Sequence, residues 1–202
     1  MTLLSSLPLA DWLAWRLEPG EPAAGIAEES WMARVASGDD AALQSLFDRW
    51  KLPLLGFFYR AVGSHADAED LTLETFVRLH RSAAEYRPSA KFSTYLFHIA
   101  HNVLRNEWRR RRRKPAQPVA PETFDYLLAD PAETGRLAEL EEVFQRALLR
   151  LPEKYRTPLL LLQQQQLGYP EAAAVLRVSE NSLRVLVHRG RQMLKTEMEA
   201  LS

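Results

Sequence analysis

Apolar side chains recur at intervals of three and four residues along most of the chain, and no segment alternates convincingly as a β-strand would. This periodicity predicts an all-α protein. The pattern indicates a first helix over Leu43–Trp50 with Asp39 or Asp40 as its N-cap. A second apolar run, Leu54–Val62, ends at Gly63, where we expect the helix to stop.

Two further helices are predicted before the middle of the chain. The first runs from about Asp67 to Arg81, behind Ser64 or His65. Pro88 interrupts the pattern, and a long helix then restarts near Ser93 and continues into a run of five arginines. The spacing thus predicts one compact helical unit that ends in strong positive charge.

A change of composition then divides the chain. Residues 115–137 contain four prolines and four acidic residues, which is typical of a linker. Fully extended, such a segment spans at most roughly 75 Å. Helical spacing resumes after it, so we predict two helical domains, at 31–114 and 138–202, an acidic linker at 115–137, and an N-terminal extension of unknown role at 1–30.

The composition favours a soluble intracellular protein. Its 202 residues are 47% hydrophobic, which is enough for packed cores. The absence of cysteine excludes disulfides and points to a reducing compartment such as the cytoplasm. The apolar N-terminus lacks a basic leader and is interrupted by Pro8 and Asp11, so neither a signal peptide nor membrane insertion is expected.

A net charge of zero conceals a strong segregation, since residues 91–114 carry eight basic side chains and one acid. One face of the predicted helix there combines hydrogen-bonding groups, flanked by Tyr95 and His101, with arginines further along. Its members are Thr94, His98, Asn102, Arg105, Arg109 and Arg112. Such a face suits nucleic acid, because arginines contact phosphates while aromatic and amide groups contact bases. A solvated helix end that complements the helix dipole is the alternative.

The preceding helix places acids before bases on one face, at Asp67, Asp70, Glu74, Arg78 and Arg81. This order suits the helix dipole and permits a Glu74–Arg78 pair, so surface electrostatics alone could account for it. The functional alternative is an acidic docking face for a basic surface on a partner protein.

The C-terminal segment reads as a helix-turn-helix. A short helix from about Pro170 to Leu176 precedes a tight turn and a longer helix capped by Ser179. A donor-rich face of the longer helix suits a DNA major groove, and it carries Asn181, Arg184, His188, Arg191 and Lys195. An ordinary helical hairpin is the alternative interpretation.

No pattern for bond chemistry stands out. The sequence shows no nucleophile paired with a base and no glycine-rich phosphate loop, so an enzyme is not expected. His98 and His101 lie three residues apart but have no suitable third ligand nearby, so neither a metal nor another cofactor is predicted.

Several segments, in this order, resemble the extracytoplasmic-function sigma factors of the bacterial RNA polymerase sigma-70 family. "DAEDLTLETFVRLHR" is similar to the family's polymerase-docking helix, and "KFSTYLFHIAHNVLRNEWRRRRR" to its helix that reads and opens the minus-ten promoter element. "LPEKYRTPLLLL" and "GYPEAAAVLRVSENSLRVLVHRGRQML" resemble its domain that reads the minus-thirty-five element. A DNA-binding regulator that never contacts polymerase is the competing hypothesis.

The resemblance implies partners and site residues. Core RNA polymerase would be bound through the clamp helices of its largest subunit by Asp67, Asp70, Leu71 and Glu74. Promoter DNA at the minus-ten element would be contacted by Phe92, Thr94, Tyr95, His98, Asn102, Arg105, Arg109 and Arg112. The minus-thirty-five element would be contacted by Asn181, Ser182, Arg184, His188 and Arg191. Whether an inhibitory anti-sigma factor also binds is left open.

The chain departs from the family pattern at a few positions. Leu73 replaces a usual glutamine, and Tyr95 replaces a usual tryptophan. Arg177 occupies a turn position where glycine is common, so strain is expected if that turn needs a positive φ. Val185 and Leu186 stand where small polar and basic residues are usual, and apolar contact with thymine methyl groups is one alternative.

Overall fold

The computed structural model describes residues 26–113, 131–163 and 167–201, and all regular elements in those ranges are helices. The helices are α1 (Ile26–Ala36), α2 (Asp40–Val62), α3 (His65–Arg81), a 3-10 turn (Ala83–Glu85), α4 (Phe92–Arg113), α5 (Pro131–Arg150), α6 (Glu153–Leu162), α7 (Tyr169–Leu176) and α8 (Glu180–Glu199). The all-α prediction is confirmed.

Helices α1–α4 form the first unit around a core rich in aromatic side chains. The Trp50 ring lies 5.8 Å from the Phe92 ring and 6.1 Å from the Phe97 ring, and Phe57 contacts Phe97 edge-on at 5.4 Å. Trp50 and the three phenylalanines are at most 2% exposed. This core fixes the N-terminal half of α4 against α2 and thereby positions the polar face of α4.

Helix α2 unites the two apolar segments that the sequence analysis separated. It begins behind Asp39, whose carboxylate accepts hydrogen bonds from the N–H groups of Ala41 and Ala42, and it ends at Gly63 with φ of 78°. Pro53 lies inside it, at a typical cost of about 3 kcal/mol. Burial of Trp50 and Leu54 on either side contributes about 1.5–3 kcal/mol for each side chain, which offsets that cost.

Helices α5–α8 form the second unit. Helix α5 begins at Pro131, so the last seven residues of the predicted linker are helical, which agrees with the preference of proline for the first helical position. Gly190 allows α8 to approach α6 closely, since a Cβ atom there would lie 3.2 Å from the Tyr155 carbonyl oxygen. The core of this unit is built from Phe144, Leu148, Leu159, Leu160, Leu183, Val187 and Leu194.

Helix α1 crosses the predicted boundary at residue 30 and packs on the first unit. Its Glu28 side chain is 1% exposed and forms an ion pair with Arg49 of α2 at 2.5 Å. The rest of the predicted N-terminal extension, residues 1–25, and linker residues 115–130 lie outside the described residues. None of the described helices is both long and apolar enough to cross a bilayer.

The two units contact each other. Helices α5 and α6 pack against the C-terminal end of α2, and α7 packs against α4. The two predicted domains therefore meet through specific side chains.

Candidate nucleic-acid interface

The candidate interface begins on α4 with the side chains that the sequence placed on one polar face. Thr94, Tyr95 and His98 line a single cavity of about 170 Å³, and the loop before α4 contributes Arg87, Ser89 and Ala90 to its wall. Thr94 is buried, and its hydroxyl has no partner among the described residues. A free donor and acceptor group at a cavity wall suits recognition of a polar ligand edge.

Tyr95 is held in a fixed orientation. Its hydroxyl lies 2.7 Å from the Ser82 hydroxyl, and its ring is tilted against the Tyr86 ring at 4.9 Å. A fixed aromatic ring loses little conformational entropy when a base stacks on it. Tyr86 is not among the predicted site residues. It is an aromatic residue in the loop directly before the basic helix, and this position is the sequence signal that would have added it to the site.

Burial lowers the pKa of two histidines of this face. The pKa of His98 is lowered by its burial and by the positive charges of Arg177 and Arg105. Burial lowers the pKa of His101 to about 4, with smaller contributions from Arg105 and His98. Neutral imidazoles can both donate and accept hydrogen bonds, as contact with base edges requires.

Phe92 and Asn102 occupy different depths. Phe92 is 1% exposed, and its ring packs on Trp50, so the structure places it in the core and not on the surface that His98 reaches. Asn102 is half-buried, and Arg105 on the next turn is exposed. The polar face thus runs from the cavity toward the arginines as predicted, with Phe92 beneath it.

The arginine run divides into two groups with different surroundings. Arg110 and Arg111 both donate to the buried Glu107 carboxylate, at 2.6 Å and 2.7 Å. Burial raises the pKa of Glu107, but the hydrogen bonds from Arg110 and Arg111 lower it by more, so the pKa lies below its ordinary value. Arg111 also donates to Asp67 at 2.7 Å and to the Val62 carbonyl at 3.3 Å. Arg111 therefore ties α4 to α2 and α3.

The other arginines are exposed. Arg112 donates to both oxygens of Glu153 in the second unit, at 2.9 Å and 2.8 Å. Arg105, Arg109 and Arg113 are exposed, and no side chain in the described ranges forms an ion pair with them. These three are the side chains best placed to contact phosphates.

The acidic face of α3 mixes charge with apolar surface. Asp70 is exposed, Glu74 accepts a hydrogen bond from Arg78 at 2.7 Å, and Leu71 is buried beneath them. Leu73 and Val77 are 54% and 42% exposed on the same helix. The spacing of charges along α3 does not reveal this apolar component, in which Leu73 stands where the family usually has glutamine. The face is therefore suited to a partner surface that is both basic and apolar.

The helix-turn-helix has the predicted boundaries. Ser179 caps α8 by accepting a hydrogen bond from the Ser182 N–H at 3.2 Å. Asn181, Ser182, Arg184 and His188 are exposed on α8, whereas Arg191 is half-buried. The Arg184 guanidinium also lies 4.4 Å from the centre of the Tyr169 ring. Val185 is 51% exposed on the same helix and is available for apolar contact.

Arg177 adopts the left-handed conformation that the sequence analysis considered. Its φ is 57°, and within the described residues every other positive φ belongs to glycine. The cost of this conformation is typically about 1–2 kcal/mol for a side chain other than glycine. The Arg177 guanidinium lies 3.2 Å from the His98 Nε2 atom of the first unit, so the strained residue is also an inter-unit contact.

Comparisons with known proteins identify the same two regions. The family model of Sigma-70 region 2 matches residues 46–114, and that of Sigma-70, region 4 matches residues 141–194. The chain is 33% identical to the ECF RNA polymerase sigma factor SigE of Mycolicibacterium smegmatis, over 96% of this chain and 74% of that protein. It is 28% identical to the ECF RNA polymerase sigma factor SigW of Bacillus subtilis, over 83% of this chain and 95% of that protein.

A solved structure has a similar fold. The structure of CnrH in complex with the cytosolic domain of CnrY matches with a TM-score of 0.65 and 25% identity, over 87% of this chain and 99% of that chain. The match therefore extends over both units.

Proposed function

The chain belongs to the extracytoplasmic-function sigma factors of the sigma-70 family, and we infer that it binds core RNA polymerase and directs promoter-specific transcription initiation. The observation that carries this inference is the presence in one chain of both matched regions, the first with a polar cavity and exposed arginines on α4 and the second with an exposed row of donors on α8. The chain would perform no bond chemistry itself, and it would act in the cytoplasm beside polymerase and DNA.

The first unit would bind the minus-ten element. Thr94, Tyr95 and His98 at the cavity would contact bases of the separated strand, while Arg105 and Arg109 would contact its phosphates. Extruding a base costs a few kcal/mol, and stacking on an aromatic ring contributes about 1–3 kcal/mol per base. The stacking and the hydrogen bonds together can offset the cost of strand opening.

The second unit would bind the minus-thirty-five element through α8. Asn181, Arg184 and His188 are exposed donors along the helix, and Ser182 lies beside its N-terminus. Phosphate contacts fix the register of such a helix, and base-edge contacts read the sequence. Apolar contact of Val185 with a thymine methyl group would add to the discrimination.

Helix α3 would bind the clamp helices of the largest polymerase subunit. Asp67 forms an ion pair with Arg111 and Glu74 forms one with Arg78, so a basic partner would meet Asp70 directly and would compete with Arg78 for Glu74. Leu73 and Val77 would supply the apolar contact area. In this proposal the region matched by the Sigma-70 region 2 model would bind polymerase and the minus-ten element, and the region matched by the Sigma-70, region 4 model would bind the minus-thirty-five element.

In-vitro transcription with sigma-free core polymerase across genomic fragments tests the proposal. We expect the purified full chain to confer initiation at discrete sites, and core polymerase alone to show none of them. Failure of the chain to confer site-selective initiation would overturn the proposal. Retention of the chain by immobilised core polymerase distinguishes it from a regulator that binds DNA alone.

A further inference from the structure

The exposed face of α8 contains an arginine that lies over an aromatic ring. The Arg184 guanidinium lies 4.4 Å from the centre of the ring of Tyr169, the first residue of α7. Arg184 lies about one turn after Asn181 and one turn before His188, and all three side chains on α8 are exposed. Arg184 therefore occupies the middle of the face that would contact the minus-thirty-five element.

The contact of Arg184 with an acid of its own helix is weaker. Its Nη2 atom lies 3.8 Å from a Glu180 carboxylate oxygen, which is longer than a hydrogen bond, and the two side chains are 58% and 48% exposed. Exposed ion pairs at this spacing are weak, and salt screens them. The aromatic ring is therefore the main restraint on the guanidinium.

The Tyr169 ring is itself held in place. It is half-buried and packs against the core of the second unit. The Gly168 N–H donates to the Glu171 carboxylate at 3.1 Å, which closes the first turn of α7. Pro170 restricts the backbone of the residue before it. The ring is therefore a fixed support for a side chain that would otherwise sample many rotamers.

A guanidinium held over an aromatic face keeps its hydrogen-bonding edge available. The attraction acts through the face of the guanidinium, whereas its N–H donors point outward within the plane. A bidentate carboxylate partner, in contrast, would occupy those donors. An arginine held in this way can present two N–H groups to the O6 and N7 atoms of guanine in the major groove.

We propose that Tyr169 is a positioning residue, which orients Arg184 so that α8 recognises a guanine in the minus-thirty-five element. The inference rests on the proposed function, because it concerns the base specificity of the same DNA-binding helix. Tyr169 acts through Arg184 and contacts no base itself. The first helix of the helix-turn-helix thus contributes to sequence recognition as well as to the fold.

The test first locates the guanine. The full chain selects its preferred sequence from a library of 20-base-pair duplexes of randomised sequence, and each guanine of that sequence is then replaced singly by 7-deazaguanine. This analogue has a C–H group in place of the N7 acceptor and keeps the Watson–Crick edge. Fluorescence anisotropy measures each loss of affinity. We expect one replacement to weaken binding of the wild type about fivefold and to leave binding of R184A unchanged.

Three variants then test the role of Tyr169 at that guanine. We expect the replacement to weaken binding of Y169L by no more than about twofold, because an unrestrained Arg184 seldom presents both donors. Y169F keeps the ring and should lose about fivefold, like the wild type. The matched control Y155L removes the ring beneath the Lys154 ammonium on α6, at 4.8 Å, and should also lose about fivefold.

Each loss is a ratio of two affinities of one protein, so a reduced folded fraction cancels. A double-mutant cycle adds a second check, because Y169L in the R184A background should leave the losses at all guanines unchanged. If circular dichroism shows that Y169L does not fold, Y169M replaces it under the same criteria.

A fivefold loss in Y169L at the guanine that depends on Arg184 would overturn the inference. So would a loss in Y169F as small as that in Y169L, which would assign the effect to the hydroxyl and not to the ring. Equal changes at the other guanines would show a general structural role, and the absence of any guanine that depends on Arg184 would also reject the inference.

The proposed function fails separately from this inference. Site-selective initiation by the wild-type chain with core polymerase, together with a fivefold loss in Y169L, would reject the positioning role alone. The absence of site-selective initiation by the wild-type chain would reject the proposed function, whatever sequence the chain selects without polymerase.

Discussion

Neighbouring arginines in the run of α4 have different surroundings because successive residues on a helix point about 100° apart. Arg110 and Arg111 neutralise the buried Glu107, and Arg111 also reaches Asp67. Arg109 and Arg113 are exposed. Local spacing predicts one phosphate-binding group for the whole run, because the position of Asp67, which lies 44 residues away, cannot be inferred from it.

The variant R105Q/R109Q/R113Q should therefore weaken binding to mixed-sequence duplex DNA and flatten its salt dependence. If each arginine contacts one phosphate, the slope of log K against log salt should fall by about 2–3. Titration by fluorescence anisotropy at several salt concentrations measures this slope. The control R34Q/R146Q/R150Q removes equal charge from ion pairs elsewhere, and a slope change in the control equal to that of the variant would contradict the assignment.

The lowered pKa of the half-buried His101 side chain predicts that the stability of the fold depends on pH. Its pKa in the folded protein is about 4, below the ordinary value of 6.5, so the unfolded chain takes up a proton first as pH falls. Stability should consequently decrease from about pH 6.5 toward pH 4. Between pH 7.5 and pH 5 this histidine should account for a loss of about 2 kcal/mol.

Urea unfolding of the wild type and of H101N at both pH values measures that contribution. The other titrating groups are common to both proteins, so the difference between the two pH-dependent losses isolates His101. An equal loss in the wild type and in H101N would show that residue 101 is not held neutral by burial.

Elements with strong local signals were predicted well, whereas elements defined by distant contacts were not. Pro170 and Ser179 mark the start of α7 and the cap of α8, and both boundaries agree with the structure. Helix α1 is not predicted from the sequence. Its Glu28 is buried, and a glutamate is expected on the buried side of a helix only when a base such as Arg49 of the next helix pairs with it. Helix α2 was divided at Pro53, where tertiary burial overrides a local helix-breaking signal.

The exposed face of α3 predicts the effect of a charge reversal. D70K/E74K should abolish retention by immobilised core polymerase, because a basic partner would then meet like charges. The fold should persist, since Asp70 is exposed and the Glu74–Arg78 pair, which is half-buried on the surface of α3, contributes about 1 kcal/mol.

Circular dichroism checks the fold of D70K/E74K, and E142K/E199K is a control with equal charge change on α5 and α8. Polymerase retention by D70K/E74K equal to that of the control would remove the docking role from α3.

At the scale of the whole molecule, the sequence predicted the division into two helical units but not their contact. The composition of residues 115–137 was a sufficient signal for the division. The Arg60–Glu141 pair joins residues 81 apart, and Arg156 reaches a carbonyl 95 residues away. No periodicity or motif specifies such pairs, so the inter-unit contact is determined by the tertiary fold and not by local sequence.

Arg156 is a buried charge of the second unit, and one of its three carbonyl partners, that of Ala61, lies in the first unit. It is 9% exposed, and it donates to the carbonyls of Ala61, Leu149 and Leu151, at 2.6 Å, 2.6 Å and 2.8 Å. Burial lowers its pKa to about 10, so the guanidinium is still charged at neutral pH. A buried charge of this kind is stable only while its carbonyl partners stay in place.

Completion of the α2 terminus by the second unit couples the melting of the two halves. Arg156 donates to the Ala61 carbonyl and Gln145 adds a second hydrogen bond to the Tyr59 carbonyl, so unfolding of the second unit removes hydrogen bonds from the end of α2. Differential scanning calorimetry of the wild type should then record a single cooperative endotherm. The variant E141Q/E153Q/E171Q removes the acids that pair with Arg60, Arg112 and Lys91 of the first unit, which weakens the same contact, so its thermogram should resolve into two endotherms. Two endotherms in the wild type would mean that each half melts independently of its neighbour.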